Sequence, residues 1–253
     1  MAKRLLAELL ARLGEDFAVE VQDVCPSTNT VLVARAKSLC APHLLVAKSQ
    51  SAGRGRLGRT FFSPEGSGVY FSLLLRPEKQ NDPTLITALA ALCVCEAAEE
   101  LGAGDCAVKW VNDVYKNGKK CCGILTQGVF EGETLHGTII GIGANLTPPK
   151  DGFPSEFAAR AGTFFEEEQD GLSADFIALV CRKLVARQNE PASAFLSDYR
   201  AKNLVLDRRV EVVQNEVRYL AVCRAVDDAC RLVVEDEFGA LHTLNHGEVS
   251  LIL

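Results

Sequence analysis

No apolar run in this chain approaches the roughly 18 residues that a membrane-spanning helix requires, and the start lacks a signal-peptide pattern. The stretch Lys3–Leu13 is short, amphipathic and interrupted by charge, so the expected compartment is the cytoplasm. There is no surplus of positive charge: 27 Lys and Arg stand against 33 Asp and Glu, a net charge of −6. That balance argues against a general nucleic-acid-binding surface but allows a small basic site. The ten cysteines include no CxxC pair and no Cys/His metal spacing. Cys93 and Cys95 share a helical run and Cys121–Cys122 are adjacent, so reduced, mostly buried thiols are expected. His43, His136, His242 and His246 are assigned no catalytic or metal role.

What is present is ordinary for a globular protein, with 48% hydrophobic and 24% charged residues over 253 positions, enough for one or two domains. Residues 1–20 read as one short helix, Ala2–Leu13, and a lead-in, too little for a helix-turn-helix domain. Val19–Val21 reads as a strand. Ser27-Thr28-Asn29 can cap a helix over Val31–Leu39. Strands are expected at 44–48 and 69–75, and a long apolar helix over Leu85–Leu101, stopped by Gly102 and Gly104. Val108–Val111 reads as a buried strand, and Asn117-Gly118 is a hairpin signal. Cys122–Phe130 and Leu135–Ile142 read as strands joined at Glu131-Gly132-Glu133. A Pro/Gly-rich loop (Pro148 to Pro154) precedes helices near Ala174–Gln188 and Ala192–Tyr199. After Asn203 the chain turns strand-like at Val210–Val213, Arg218–Val226, Arg231–Asp236 and Leu241–Leu244, the pattern of a small β-barrel. The division expected is 1–20, a catalytic domain over 21–202, and a β domain over 203–253.

The densest chemistry lies in Gly53-Arg54-Gly55-Arg56-Leu57-Gly58-Arg59. Arginine offers a rigid fork of donors to phosphate and carboxylate oxygens, and glycine lets backbone approach a ligand. A loop that closes over an anionic intermediate would have this composition. The alternative is a solvated basic loop. The spacing also fits Gly-x-Gly-x-x-Gly, with Glu78 near the position of a ribose-binding acid. A dinucleotide fingerprint, however, needs a helix starting inside the motif, and Pro64, Gly66 and Gly68 interrupt the stretch where that helix would run.

Five islands stand in order: Ser27-Thr28-Asn29; Lys48-Ser49-Gln50-Ser51-Ala52 running into the Gly/Arg loop; Lys109-Trp110-Val111-Asn112-Asp113; Lys119-Lys120-Cys121-Cys122-Gly123-Ile124-Leu125; and Gly141-Ile142-Gly143-Ala144-Asn145. In this order and spacing the chain resembles the biotin–protein ligases from about residue 20 to the C-terminus. The resemblance implies an α+β fold: a mixed β-sheet flanked by helices, like the class II aminoacyl-tRNA synthetase core, plus a small C-terminal SH3-like β-barrel. It implies a two-step reaction in which biotin and ATP, with Mg²⁺, give biotinyl-5′-AMP, and a lysine of a biotin carboxyl carrier domain then takes the biotinyl group. Monomers and homodimers both fit this architecture.

The resemblance assigns Ser27, Thr28, Asn29 and Gln50 to the biotin head, with Gly53, Arg54, Gly55, Arg56, Lys120, Gly123 and Ile124 completing the biotin site. Trp110, Asn112, Asp113 and Asn145 fall on the nucleotide side, with Mg²⁺ near Asp113. Lys120, Arg54, Arg56 and Asp113 are the catalytic set. Other readings stay open: helix capping for Ser27–Asn29, core packing for Trp110, turn roles for Asp113 and Asn145, and a solvated hairpin lysine for Lys120, with Lys119 its nearest rival. Pro26, Val111 and Phe61 depart from the family pattern, where an acid, a proline and a tryptophan are common. Ile252 stands where some relatives place a nucleotide-contacting arginine. The short N-terminus implies a ligase without a DNA-binding domain. The rivals are a lipoate or octanoate ligase, which has no ureido head to satisfy, and a silent biotin sensor, which would have no need of Lys120 and both loop arginines.

Overall fold

The computed structural model describes residues 2–76, 82–214, 217–245 and 247–252. Glu78 and His246 lie outside them. Seven strands form one sheet: β1 (Ala18–Cys25), β2 (His43–Gln50), β3 (Gly68–Leu75), β4 (Ala107–Lys109), β5 (Asp113–Lys116), β6 (Lys119–Glu131) and β7 (Thr134–Asn145), in the order β1-β2-β3-β7-β6-β5-β4. Only β1 and β2 pair in parallel; every other pairing in this sheet is antiparallel.

Alternation along the strands assigns the two faces of this sheet. Leu44, Val46, Phe71, Leu73, Ile140 and Ile142 face a large core shared with α1 (Ala2–Leu13), α3 (Pro83–Glu100) and α5 (Leu172–Arg187). Helix α3 is apolar all round, with twelve buried residues, because it lies between the sheet and α5. The intervening positions Leu45, Leu74 and Ile139 face the opposite way and pack with Leu32 of α2 (Thr28–Arg35) and with Ala36 directly after it. Burying one such side chain stabilises by about 1.5–3 kcal/mol.

Residues Ser155–Ala158 form α4 and Leu196–Ala201 form α6. The C-terminal strands β8 (Arg209–Gln214), β9 (Val217–Val226), β10 (Leu232–Asp236), β11 (Leu241–Leu244) and β12 (Glu248–Leu251) make an antiparallel five-stranded sheet, ordered β11-β10-β9-β8-β12. Its Val210, Val212, Cys223 and Leu232 join the same large core.

Three local expectations change. The helix expected over Val31–Leu39 starts at Thr28 and ends at Arg35, after which Ala36–Ser38 tighten into a 3₁₀ turn. Ser27 is its N-cap by backbone but makes no side-chain cap bond. The strand expected over Val108–Val111 stops at Lys109, and the Trp110–Val111 peptide is cis. Within the Gly/Arg loop only a 3₁₀ turn forms (Arg56–Gly58), with β3 next, so the helix of a dinucleotide fingerprint is missing there.

Candidate active site

The helix-poor end of the sheet becomes a cleft because side chains are withdrawn from one face of β6 and β7. On β7 that face runs Ile139, Gly141, Gly143. Ile139 lies under α2, whereas a Cβ on Gly141 would meet Asn29 Oδ1 at 2.0 Å and one on Gly143 would meet the Phe61 ring at 2.5 Å. On β6, a Cβ at Gly123 would stand 3.2 Å from Phe61 and 3.3 Å from Lys120 Nζ. The cleft above this bare floor has a volume of about 750 Å³, large enough for a drug-sized ligand.

One wall is the start of α2. Ser27, Thr28 and Asn29 are buried there. Asn29 is fully engaged: its amide N–H groups donate to the Leu125 carbonyl (3.0 Å) and Gln127 Oε1 (2.9 Å), while its Oδ1 accepts from Ser72 (2.6 Å). Ser72 also meets Thr28 Oγ1 at 2.7 Å. Gln50 Oε1 accepts from the Thr28 N–H (2.9 Å), and its amide donates to Ser63 (3.0 Å). The first island is thus a wired structural corner as well as a polar surface. The helix-capping alternative holds only for the backbone.

The opposite wall is the Gly/Arg loop, folded back on itself. Gly55 N–H donates to the Arg59 carbonyl (2.7 Å) and Phe61 N–H to the Gly53 carbonyl (2.9 Å). A Cβ on Gly53 would stand 2.5 Å from the Phe61 carbonyl, so glycine is required there to close the loop. Arg54 is exposed at the mouth. Arg56 is held inward by Asn112 Oδ1 (2.7 Å), and Arg59 pairs with Glu248 of β12.

Lys120 extends into the cleft and pairs with Asp113 at 2.6 Å, whereas Lys119 is exposed outside it. Asn112 donates to the Ile124 carbonyl (3.1 Å) and to Asp113 (3.0 Å). Ile124 itself turns its side chain into the large core, so its contribution here is backbone. Trp110 is 4% exposed, and its indole N–H donates to the Cys230 carbonyl (2.9 Å). The core-packing alternative therefore describes most of this ring, though its edge still lines the cleft. Asn145 lines the cleft while donating to the Gly162 carbonyl (3.1 Å).

All the residues assigned a site role from the sequence line this one cleft except Gly53, which is buried at the start of the Gly/Arg loop. Lys48 turns away to Asp23 and Glu65. The sequence alone gave no role to Phe153, Glu156, Phe157 and Arg160, which approach from the loop around α4, or to Lys109. Their signal is weak, since Phe157 and Arg160 belong to no local motif and the cation–π pair they make (5.6 Å) is visible only in three dimensions. Glu248, Val249 and Ser250 line the cleft from β12, so the C-terminal sheet does reach the site.

Six cationic side chains and three carboxylates line this cleft of a net-acidic chain. Burial lowers the pKa of Lys109, against a smaller opposing pull from Asp113. Burial also pushes Tyr115 up to about 12. Among the described residues no three His, Cys, Asp or Glu side chains come together as a metal-binding group. With Asp113 already paired to Lys120, the donor set does not fit a resident metal. A divalent ion would be carried in on nucleotide phosphates.

Residues 21–145 match the family model of the biotin/lipoate A/B protein ligases. The bifunctional ligase/repressor BirA of Bacillus spizizenii is 42% identical over 53% of this chain and 42% of its own length, so the chain spans less than half of that relative. The Escherichia coli K12 protein of the same name is 28% identical over 99% of this chain and 77% of its own. The biotin protein ligase of Aquifex aeolicus, solved in complex with biotin and ATP, superposes with a TM-score of 0.76 at 27% identity, covering 93% of this chain and 98% of that one. With the fold, the cleft and the family match in agreement, residues 21–145 form a domain of the biotin/lipoate A/B protein ligase family.

Proposed function

We propose that the chain is a biotin–protein ligase: it activates biotin with ATP and transfers the biotinyl group to a lysine of a carboxylase's biotin carboxyl carrier domain. One observation carries this reading. A single cleft gathers a polar corner (Ser27, Thr28, Gln50), two loop arginines and Lys120 above a floor without side chains.

In the first step a biotin carboxylate oxygen attacks the α-phosphorus of ATP. The bond to the β-phosphate breaks, and pyrophosphate leaves. Two anions must meet, and Arg54, Arg56 and Lys120 offset their repulsion; removing one such contact commonly costs about 2–4 kcal/mol at the transition state. In the second step the acceptor lysine amine attacks the acyl carbon, AMP departs, and the amine gives up a proton. The mixed anhydride must be kept from water meanwhile, which is the work of the Gly/Arg loop. Lys120 begins this cycle paired with Asp113, so binding of an anion exchanges one carboxylate partner for another.

Support for biotin over a fatty acyl substrate comes from the polar corner of Ser27, Thr28 and Gln50, which offers a ureido head hydrogen-bonding groups that an alkyl chain cannot use. The deciding experiment is ATP–pyrophosphate exchange with purified protein and Mg²⁺. Exchange driven by biotin but not by lipoate or octanoate is expected. Exchange driven by lipoate alone would replace this reading with the other branch of the family, and absence of exchange with retained biotin binding would make the chain a sensor.

A further inference from the structure

The Lys109–Asp113 segment is anchored on the side facing away from the cleft as firmly as on the side facing it. Toward the cleft, Asn112 accepts from Arg56 (2.7 Å), and its own carbonyl accepts the Ile124 N–H (3.0 Å). Away from it, two buried bonds leave the segment. Trp110 Nε1–H donates to the Cys230 carbonyl (2.9 Å), 120 positions along the chain, and the Tyr199 hydroxyl donates to the Val111 carbonyl (3.2 Å). The Tyr199 hydroxyl also lies against the Cys230 thiol. Cys230 sits in the β9–β10 turn at φ 59°. Asp227 builds that turn: its carbonyl accepts the Cys230 N–H (3.0 Å) and its Oδ1 accepts the N–H groups of Ala229 (3.0 Å) and Arg231 (2.8 Å).

We propose that Tyr199 is a positioning residue for the ligation reaction, fixing through the Val111 carbonyl the point at which Asn112 holds Arg56 over the cleft. The inference rests on the biotin-ligase reading. Phenylalanine would fill the same space, so packing alone does not call for the hydroxyl. Its removal leaves the buried Val111 carbonyl without its partner, and the segment must shift to recover one. Asn112 is the next residue, and Arg56 has no carboxylate partner among the described residues to hold it in place otherwise. A misplacement of about 1 Å at a reacting centre can cost on the order of 100-fold.

The test is Tyr199→Phe in the full chain, with three measurements on the same samples. These are ATP–pyrophosphate exchange at varied ATP and biotin, biotin binding by calorimetry, and the emission of Trp110, the sole tryptophan. The expected result is about a tenfold fall in kcat/KM for ATP, a smaller loss of biotin affinity through Arg56, little change in Tm and a shift in Trp110 emission. Trp110→Phe, which removes the other anchor, should show the same selective loss. Two results overturn the inference: unchanged exchange in Tyr199→Phe, or a parallel loss of ATP use, biotin affinity and Tm, which marks the hydroxyl as support for the fold alone. If the wild-type protein exchanges nothing, the ligase reading itself falls. Trp110 emission then decides the link on its own, an unshifted spectrum in Tyr199→Phe overturning it.

Discussion

Lys119 and Lys120 are neighbours with opposite surroundings. The β5–β6 pairing skips Cys121, and this irregularity brings Lys120 onto the Gly123 face beside Asp113 and the cleft while Lys119 stays in solvent. Lys120→Ala should slow biotinyl-AMP formation by about 100-fold or more, in line with the loss of a charge-assisted contact at the transition state. Lys119→Ala should stay within about twofold, and single-turnover adenylation separates the two. Lys109 is a different case. It lines the cleft, makes no ion pair among the described residues, and burial holds its pKa below the ordinary lysine value. The folded state therefore binds this proton more weakly than the unfolded chain. The charged side chain costs stability at neutral pH, and the cost fades as pH rises through the folded value toward the ordinary lysine range. Lys109→Met should raise Tm at neutral pH while raising KM for ATP, and thermal melts should show the gain in Tm shrinking on the alkaline side.

Strand β7 shows how an element can be part core and part binding surface. Ile140, Ile142 and Ala144 supply the large core, while on the other face Ile139 gives way to Gly141 and Gly143. Gly141→Ala would drive a methyl group into Asn29, whose amide links α2 to β3 and β6. Breaking part of that network should cost about 1–3 kcal/mol, seen as a lower denaturation midpoint, and should weaken biotin binding in calorimetry. Helix α2 also explains one difference between sequence and structure. Apolar spacing locates the buried stripe of Leu32 and Ala36 but not the start of the helix at Thr28, because that start is fixed by Gln50 and Ser72 rather than by a neighbour in sequence.

For the whole molecule, much of the fold was legible because strand and helix periods are local properties: β2, β3, β6, β7 and α3 all fall near their expected places. The five islands were legible as a set because each is short and polar within an apolar context. The rest depends on distant pairs. Strand β12 is too short and mixed to stand out, and its partner β8 lies far back along the chain. The bond from Trp110 to Cys230 has no sequence signature at all. The cysteines extend the same logic to the entire chain. Nine are buried, and burial pushes Cys93 and Cys106 up to about 12; Cys40 alone is exposed. Ellman's reagent should therefore titrate one thiol in the native protein and ten after denaturation.

The floor of the cleft has a consequence for how such a site can diverge. Where a pocket is lined by large side chains, trimming one deepens it. Here Gly123, Gly141 and Gly143 have nothing left to trim, so depth is set by the spacing between strands, and every substitution at those positions makes the site shallower. Descendants or engineered variants that accept a bulkier acid must gain their room at Phe61, on the loop side. The backbone of the sheet sets one hard limit on ligand size and the loop sets an adjustable one.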